Sequence, residues 1–129
     1  EALKINPTSD SAYNGLSSIY YYLKDFNKML NCSLKQIELN PKSHYGYYNA
    51  GLAYFNLKSF QEAINYFEEA IANDFRYSPA YFYLGIIYKE RGDKILMMKQ
   101  YNKLLELKRK DLADRILGIE YSSKNPVEF

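Results

Sequence analysis

Residues 44–77 read HYGYYNAGLAYFNLKSFQEAINYFEEAIANDFRY, and this stretch predicts two helices of one repeating unit. Apolar residues in its first half follow the i, i+3, i+4, i+7 spacing of an amphipathic helix, with Tyr47, Ala50, Gly51 and Tyr54. The second half repeats the pattern with Ala63, Ile64, Phe67, Ala70 and Ile71. Because only residues 57–59 separate the two patterns, the helices should be antiparallel neighbours. Phe67 should fill the space that Gly51 leaves on the facing helix.

The same pattern recurs on both sides of this stretch at a constant step along the chain. Two tyrosine columns keep the step, Tyr13/Tyr47/Tyr81 and Tyr20/Tyr54/Tyr88. A 34-residue period is typical of a solenoid, in which each unit covers the apolar face of its neighbour. We therefore expect an all-α solenoid with these tyrosines in its core. The predicted organisation is the end of a preceding repeat at 1–9, repeats at 10–43, 44–77 and 78–111, and a capping helix with a tail at 112–129.

The sequence at each end of the chain predicts how the array begins and ends. Residues 2–7, ALKINP, align with residues 36–41, QIELNP, which close the first repeat. We therefore expect a fragment of a longer array whose N-terminal edge can self-associate. At the other end, Asp111 is the expected N-cap of a last helix at about 112–122, which is polar on one side as a terminal cap requires.

The composition excludes several classes of protein. The 17 Lys and Arg residues nearly balance the 15 Asp and Glu residues, so we expect no nucleic-acid partner, which would require a concentrated basic face. No run approaches the 18 apolar residues of a membrane span. The single cysteine, Cys32, excludes an internal disulfide framework. It is consistent with a reducing compartment, and we expect a cytoplasmic location.

These residues resemble the tetratricopeptide repeat, which has a 34-residue period. The family pattern has an aromatic residue, Leu-Gly and Tyr in the first helix, then Ala, an aromatic residue and Ala in the second, then Pro. The middle repeat matches it with Tyr47, Gly51, Tyr54, Ala63, Phe67 and Ala70. The third repeat departs from it at Met97, Leu104 and Arg109. The first departs at Ser17, Met29, Ser33 and Gln36, which indicates that its second helix packs differently or is partly exposed.

The resemblance implies a right-handed superhelix whose first helices line a concave groove. The positions that should face this groove are unusually rich in aromatic side chains, and a large exposed apolar patch is typical of a partner-binding surface. Tyrosine suits such a surface because it combines contact area with a hydroxyl and few rotatable bonds. The predicted peptide-binding residues are Asn14, Tyr21, Tyr22, Tyr45, Tyr48, Asn49, Leu52, Phe55, Phe82 and Ile86.

One subgroup of the resembled family grips the C-terminal carboxylate of chaperones with Lys, Asn and Arg side chains. The matching positions here are Asn14, Ser18, Asn49, Pro79 and Tyr83. Only Asn49 is as that subgroup has it, so a carboxylate would meet almost no positive charge. The resemblance therefore disfavours this chaperone-tail function.

The sequence shows no arrangement of residues that would support catalysis. Cys32 and His44 would need contact and an orienting third group to act as a catalytic pair, and we expect structural or surface roles for both. One His and one Cys cannot assemble the usual protein metal site, and the glycines form no phosphate-binding loop. We expect no enzymatic activity, cofactor or metal. The basic residues of the run Lys99–Lys110 should form a solvent-exposed helix face that complements the negative C-terminal end of the helix dipole. Contact with an anionic group is a minor alternative.

The sequence therefore predicts a protein–protein interaction adaptor or scaffold that binds a peptide segment or helix of another protein. Two alternatives remain open at this point. The chain could be the substrate- or partner-recruiting region of a larger enzyme or of a secretion or assembly machine. It could also be a structural array that self-associates, with another copy filling the groove or covering the truncated N-terminal edge.

Overall fold

The computed structural model describes residues 9–119, and these residues form seven α-helices without a strand. The helices are α1 (Asp10–Tyr22), α2 (Phe26–Leu39), α3 (His44–Asn56), α4 (Phe60–Asn73), α5 (Ser78–Glu90), α6 (Lys94–Glu106) and α7 (Lys110–Ile116). The predicted all-α helical repeat is confirmed. The aligned residues 2–7 lie outside the described part of the chain. Within residues 9–119, no helix combines the length and hydropathy that crossing a bilayer requires.

The chain divides into two compact units at residues 77 and 78. In the first unit, α1 packs on α2 and α3 packs on α4, while α3 also contacts α2 and α1. In the second unit, α5 packs on α6, and α7 contacts both of them. Helix α3 therefore has neighbours on several sides, which decides how much of its surface remains open.

One close approach between helices in the first unit pairs a glycine with a phenylalanine. A Cβ atom placed on Gly51 of α3 would lie 2.8 Å from ring atoms of Phe67 on α4, and Phe67 is completely buried. The equivalent positions one repeat earlier are Ser17 and Ser33, whose hydroxyl oxygens lie 3.4 Å apart in the core. Ser33 also donates to the carbonyl oxygen of Met29 at 2.8 Å.

Helix α2 packs differently from its counterparts, and the alternative of partial exposure is wrong for the residues that suggested it. Met29, Ser33 and Gln36, which depart from the family pattern, are all buried. The two serines replace a small–large pair with two small polar side chains. Their hydroxyl groups hydrogen-bond to each other inside the core, because buried hydroxyls require a partner. The two tyrosine columns are buried in the second unit, at Tyr81 and Tyr88, and their equivalents in the first unit are half-buried.

The last helix is shorter than predicted and begins earlier. Helix α7 has Arg109 at its N-cap, and Asp111 lies in its first turn, where it accepts two hydrogen bonds from the Arg109 guanidinium at 3.0 and 2.9 Å. This pairing lowers the pKa of Asp111 to about 2. The helix ends at Ile116 because Gly118 adopts a φ of 88°, and the N–H of Ile119 closes the turn onto the Asp114 carbonyl. The predicted helix over 117–119 is therefore wrong, while residues 120–122 lie outside the described part.

The turn within each repeat uses one residue in the left-handed conformation. Lys24, Lys58 and Gly92 have φ values of 60°, 66° and 76° and occupy the same position in successive repeats. In each case the next N–H bonds to the carbonyl five residues earlier, at 2.9 Å, which is the six-to-one bond of a Schellman motif. A lysine at this position carries steric strain that a glycine avoids.

We expect Lys58→Gly to raise the free energy of unfolding by about 0.5–1 kcal/mol. Relief of left-handed strain, about 1–2 kcal/mol, exceeds the extra entropy that glycine gives the unfolded chain. Urea unfolding followed by circular dichroism measures the change. Lys58→Ala is the matched control, because alanine shortens the side chain but keeps the Cβ atom that causes the strain. An equal gain from both variants would show that the backbone conformation is not responsible.

Candidate peptide-binding surface

The predicted peptide-binding residues of the first unit lie on α1 and α3, and their exposure differs widely. Tyr22 and Tyr45 are exposed, at 82% and 47% of their full surface. Four more are half-buried: Asn14, Tyr21, Tyr48 and Phe55. Leu52 and Asn49 are buried. Fewer of the predicted residues are exposed than expected, and α1, α2 and α4 all pack against α3.

In the second unit, the predicted residues Phe82 and Ile86 lie on α5. Phe82 is buried and Ile86 is half-buried. The guanidinium of Arg115, on α7, lies 4.9 Å from the centre of the Phe82 ring, within the range of a cation–π contact. The predicted exposure of Phe82 and Leu52 is thus wrong. Helical spacing predicted on which side of the helix these side chains lie. It could not predict which neighbouring residues cover them.

Three side-chain amides connect α1, α2 and α3 beside this surface. The Asn49 amide nitrogen donates to the side-chain oxygens of Asn14 at 2.7 Å and Gln36 at 3.1 Å. The Gln36 amide nitrogen also donates to the Asn14 oxygen, at 3.3 Å. Because Gln36 and Asn49 are buried, these bonds satisfy polar groups that would otherwise destabilise the core. Both Asn14 and Asn49 therefore have a structural role.

A cluster of aromatic rings lies at the start of α3, and sequence reasoning missed two of its members. The His44 ring centre lies 4.1 Å from that of Tyr45 and 4.5 Å from that of Tyr77. Tyr77 also approaches Tyr45 at 5.8 Å and Tyr48 at 5.1 Å, both with steeply inclined planes. Tyr77 follows α4 and has no tyrosine at the equivalent position of either neighbouring repeat, so the repeat period gave no signal for it.

One carboxylate lies beside these rings. Asp74, the C-cap of α4, places its Oδ2 atom 3.7 Å from the Nδ1 atom of His44. Its Oδ1 atom accepts a hydrogen bond from the backbone N–H of Arg76 at 3.1 Å. Burial is the main cause that raises the pKa of Tyr77 to about 12, followed by repulsion from Tyr45 in its ionised form and from the Asp74 carboxylate. The Tyr77 phenol therefore stays neutral at physiological pH.

The raised pKa of Tyr77 predicts a loss of stability at alkaline pH. The folded protein holds the phenol proton more tightly than the unfolded chain, whose tyrosine has the ordinary pKa of 10. This contribution is fully present below pH 10 and is lost as the pH rises towards 12. Urea midpoints measured across this range should fall more steeply for the wild type than for Tyr77→Phe. Parallel profiles would contradict the assignment.

The pair Cys32 and His44, considered above as a thiol–imidazole arrangement, is not formed. His44 contacts Asp74, Tyr45 and Tyr77, whereas Cys32 lies half-buried on α2. Burial raises the pKa of the Cys32 thiol, which lowers its thiolate fraction and its reactivity. Among residues 9–119, no group of three His, Cys, Asp or Glu side chains has the arrangement of a metal site.

Comparison with known families settles the relationship of this chain. Two profiles of the tetratricopeptide repeat match it, one over residues 44–77 and the other over residues 10–43 and 78–111. The chain belongs to the tetratricopeptide repeat family. The search of curated proteins found no significant match to this tetratricopeptide repeat chain.

Solved structures share the tetratricopeptide repeat fold. A crystal structure of MamA matches with a TM-score of 0.76 at 27% identity, covering 81% of this chain and 61% of MamA. The Arabidopsis OM64 TPR domain matches at 0.79 and 19% identity, covering 88% and 95% of the two chains. The first TPR of Spaghetti (RPAP3), bound to the HSP90 peptide SRMEEVD, matches at 0.80 and 22% identity, covering 88% and 91%. The present chain therefore spans about three fifths of the MamA chain.

Proposed function

We propose that this chain is a protein–protein interaction module that binds a peptide segment or helix of another protein through aromatic side chains of its first helices. The family supports the general role, because tetratricopeptide repeat domains are generally non-catalytic interaction modules. The observation that carries the specific proposal is Tyr45. It is exposed at the start of α3 and continuous with the rings of Tyr48 and Tyr77.

The binding mechanism follows from the chemistry of tyrosine. A segment lying against Tyr45 and Tyr48 would remove apolar ring surface from water, which stabilises the complex by about 25 cal/mol for each Å² buried. The phenol groups can hydrogen-bond to peptide backbone groups. Because the rings already pack against His44 and Tyr77, little side-chain freedom is lost on binding, and such preorganisation favours affinity.

A chaperone-tail function remains disfavoured, although the RPAP3 relative carries an HSP90 peptide. Of the positions that correspond to the carboxylate clamp, Ser18, Pro79 and Tyr83 carry no positive charge. Asn14 and Asn49 are engaged with each other and with Gln36. The partner proposed here is therefore a segment held by ring contacts, with no requirement for a terminal carboxylate.

Selection from a displayed library of random twelve-residue peptides tests the proposal with the 129-residue chain. We expect enriched peptides whose dissociation constants rise at least about tenfold for Tyr45→Ala, as for a moderate interface anchor. Phe75→Ala is the matched control, because Phe75 is an exposed aromatic residue to which the proposal assigns no contact with the peptide. Failure to enrich any peptide, or an equal loss of affinity in both variants, would refute the proposal. Circular dichroism of each variant verifies folding.

A further inference from the structure

The ring cluster of the first unit contains a feature that peptide binding by apolar contact does not require. The rings of His44, Tyr45 and Tyr77 contact one another, and the Tyr48 ring contacts that of Tyr77, at centre distances of 4.1 to 5.8 Å. The carboxylate of Asp74 lies against this cluster. Aromatic faces carry negative electrostatic potential and attract cations within about 6 Å of the ring centre. A carboxylate beside several such rings therefore forms a concentrated negative site.

The two helix ends near this site have opposite effects on the binding of a cation. Asp74 caps the C-terminus of α4, where unpaired carbonyl groups favour a cation, and the last turn of α4 contains no basic residue. His44 and Tyr45 open α3, whose N-terminus disfavours a cation. Each helix end carries roughly half an elementary charge, so the two nearly cancel. The largest charge in contact with the rings is then the negative charge of the Asp74 carboxylate.

Two polar atoms of the cluster lack a strong partner. The Nε2 atom of His44 is buried and has no hydrogen-bond partner. Among the described residues, the ion-pair contact of Asp74 is with His44 alone, at 3.7 Å, which is longer than a hydrogen bond. A buried polar atom without a partner destabilises the fold. A ligand that brings N–H donors would give the part-exposed Asp74 carboxylate a closer partner than His44.

The cluster is also absent from the other repeats. The positions equivalent to Tyr45 in the repeats before and after it hold Ser11 and Pro79, and those equivalent to Tyr77 hold Ser43 and Asp111. The positions equivalent to Asp74 are likewise not acidic. Packing between the helices of a repeat recurs in every unit, so a cluster that occurs once is not part of that general packing.

We propose that this cluster binds an arginine side chain of the partner segment, stacked on the exposed Tyr45 ring and paired with Asp74. This inference rests on the proposed function, since it assigns the chemistry of the partner. Arginine fits better than lysine because its planar guanidinium stacks on aromatic faces and pairs with a carboxylate through two parallel N–H bonds.

Titration with N-acetyl-arginine amide, followed by nuclear magnetic resonance of the 129-residue chain, tests the site directly. We expect saturable shifts of the Tyr45 and Tyr77 ring signals and of the Arg76 amide. N-acetyl-citrulline amide has nearly the same shape without the charge, and it should bind at least about tenfold more weakly. N-acetyl-lysine amide should fall between the two. Equal shifts with arginine and citrulline would overturn the proposal, as would shifts centred elsewhere on the chain.

Variants provide the second arm of the test. Asp74→Asn keeps the size of the side chain and removes its charge, and it should weaken binding of the arginine amide at least about fivefold. Glu69→Gln is the matched control, because Glu69 is an exposed acidic residue on α4, the helix that Asp74 caps, and it should leave binding unchanged. Equal effects of the two substitutions would show general charge attraction and would contradict the assigned site.

The two experiments separate this inference from the proposed function. If library peptides bind at Tyr45 without enrichment of arginine, and the arginine amide does not bind, the arginine site is refuted while the peptide-binding function stands. If the arginine amide binds at the cluster and no peptide is enriched, the site stands and the peptide-binding function is refuted. Enriched peptides rich in arginine, with affinity lost in Asp74→Asn, would support both.

Discussion

Replacing Phe67 with alanine should lower the free energy of unfolding by about 3–5 kcal/mol, the range for truncating a fully buried phenylalanine. Phe67 is completely buried and fills the space that Gly51 leaves on the facing helix. In Phe67→Ala, two small residues would oppose each other across the α3–α4 interface. The cavity could not close easily, because the ring also supports Tyr48 at a centre distance of 5.8 Å. Urea unfolding monitored by circular dichroism measures the loss.

Two further variants make this prediction specific. Phe75→Ala removes the same ring from a site that is 68% exposed, and its effect should stay below about 1 kcal/mol. Gly51→Leu alone should destabilise the protein by about 1–3 kcal/mol, because the added side chain would overlap Phe67. Combined with Phe67→Ala, the leucine would fill the cavity. The double variant should therefore be more stable than the sum of the single effects indicates, and simple additivity would contradict the packing described here.

The second large effect is expected for Asn49→Ala, which should lower the free energy of unfolding by about 1–3 kcal/mol, the penalty for leaving buried polar groups unpaired. The substitution removes the donor to Asn14 and to the buried oxygen of Gln36. It also leaves a void where three helices meet. Asn65→Ala is the matched control, because Asn65 is exposed on α4 and should change stability little.

The same variant separates two roles of Asn49. The resemblance to the tetratricopeptide repeat placed Asn49 among the peptide-binding residues, whereas the structure gives it a bonding role inside the first unit. If Asn49→Ala loses stability while its folded form keeps peptide affinity, the residue acts on packing alone. A loss of affinity at temperatures where the variant is fully folded would show that Asn49 also contacts the peptide directly. Unchanged stability would contradict the amide cluster.

The candidate surface shows where sequence reasoning reached its limit. The helical spacing placed Tyr45, Tyr48, Leu52 and Phe55 on α3 correctly, and all four lie in that helix. It could not show that Leu52 is buried, because periodicity describes a direction around one helix, whereas burial depends on the neighbouring helices. Phe82 was misjudged for the same reason, since Arg115 belongs to a different helix, α7, and reaches the Phe82 ring only through the fold.

The sequence by itself determined the class of fold, because stripes that recur with a 34-residue period can bury their apolar faces only as stacked helix pairs. It also marked Gly51 and Phe67 as a small–large pair before their contact was visible. The tertiary structure alone decided which aromatic residues remain open and which polar groups meet. His44, Asp74 and Tyr77 come together although no repeat column links them, since their contact arises from the way α3 packs against the end of α4. Periodicity records what every unit shares, and a site that occurs once becomes visible only when the chain is folded.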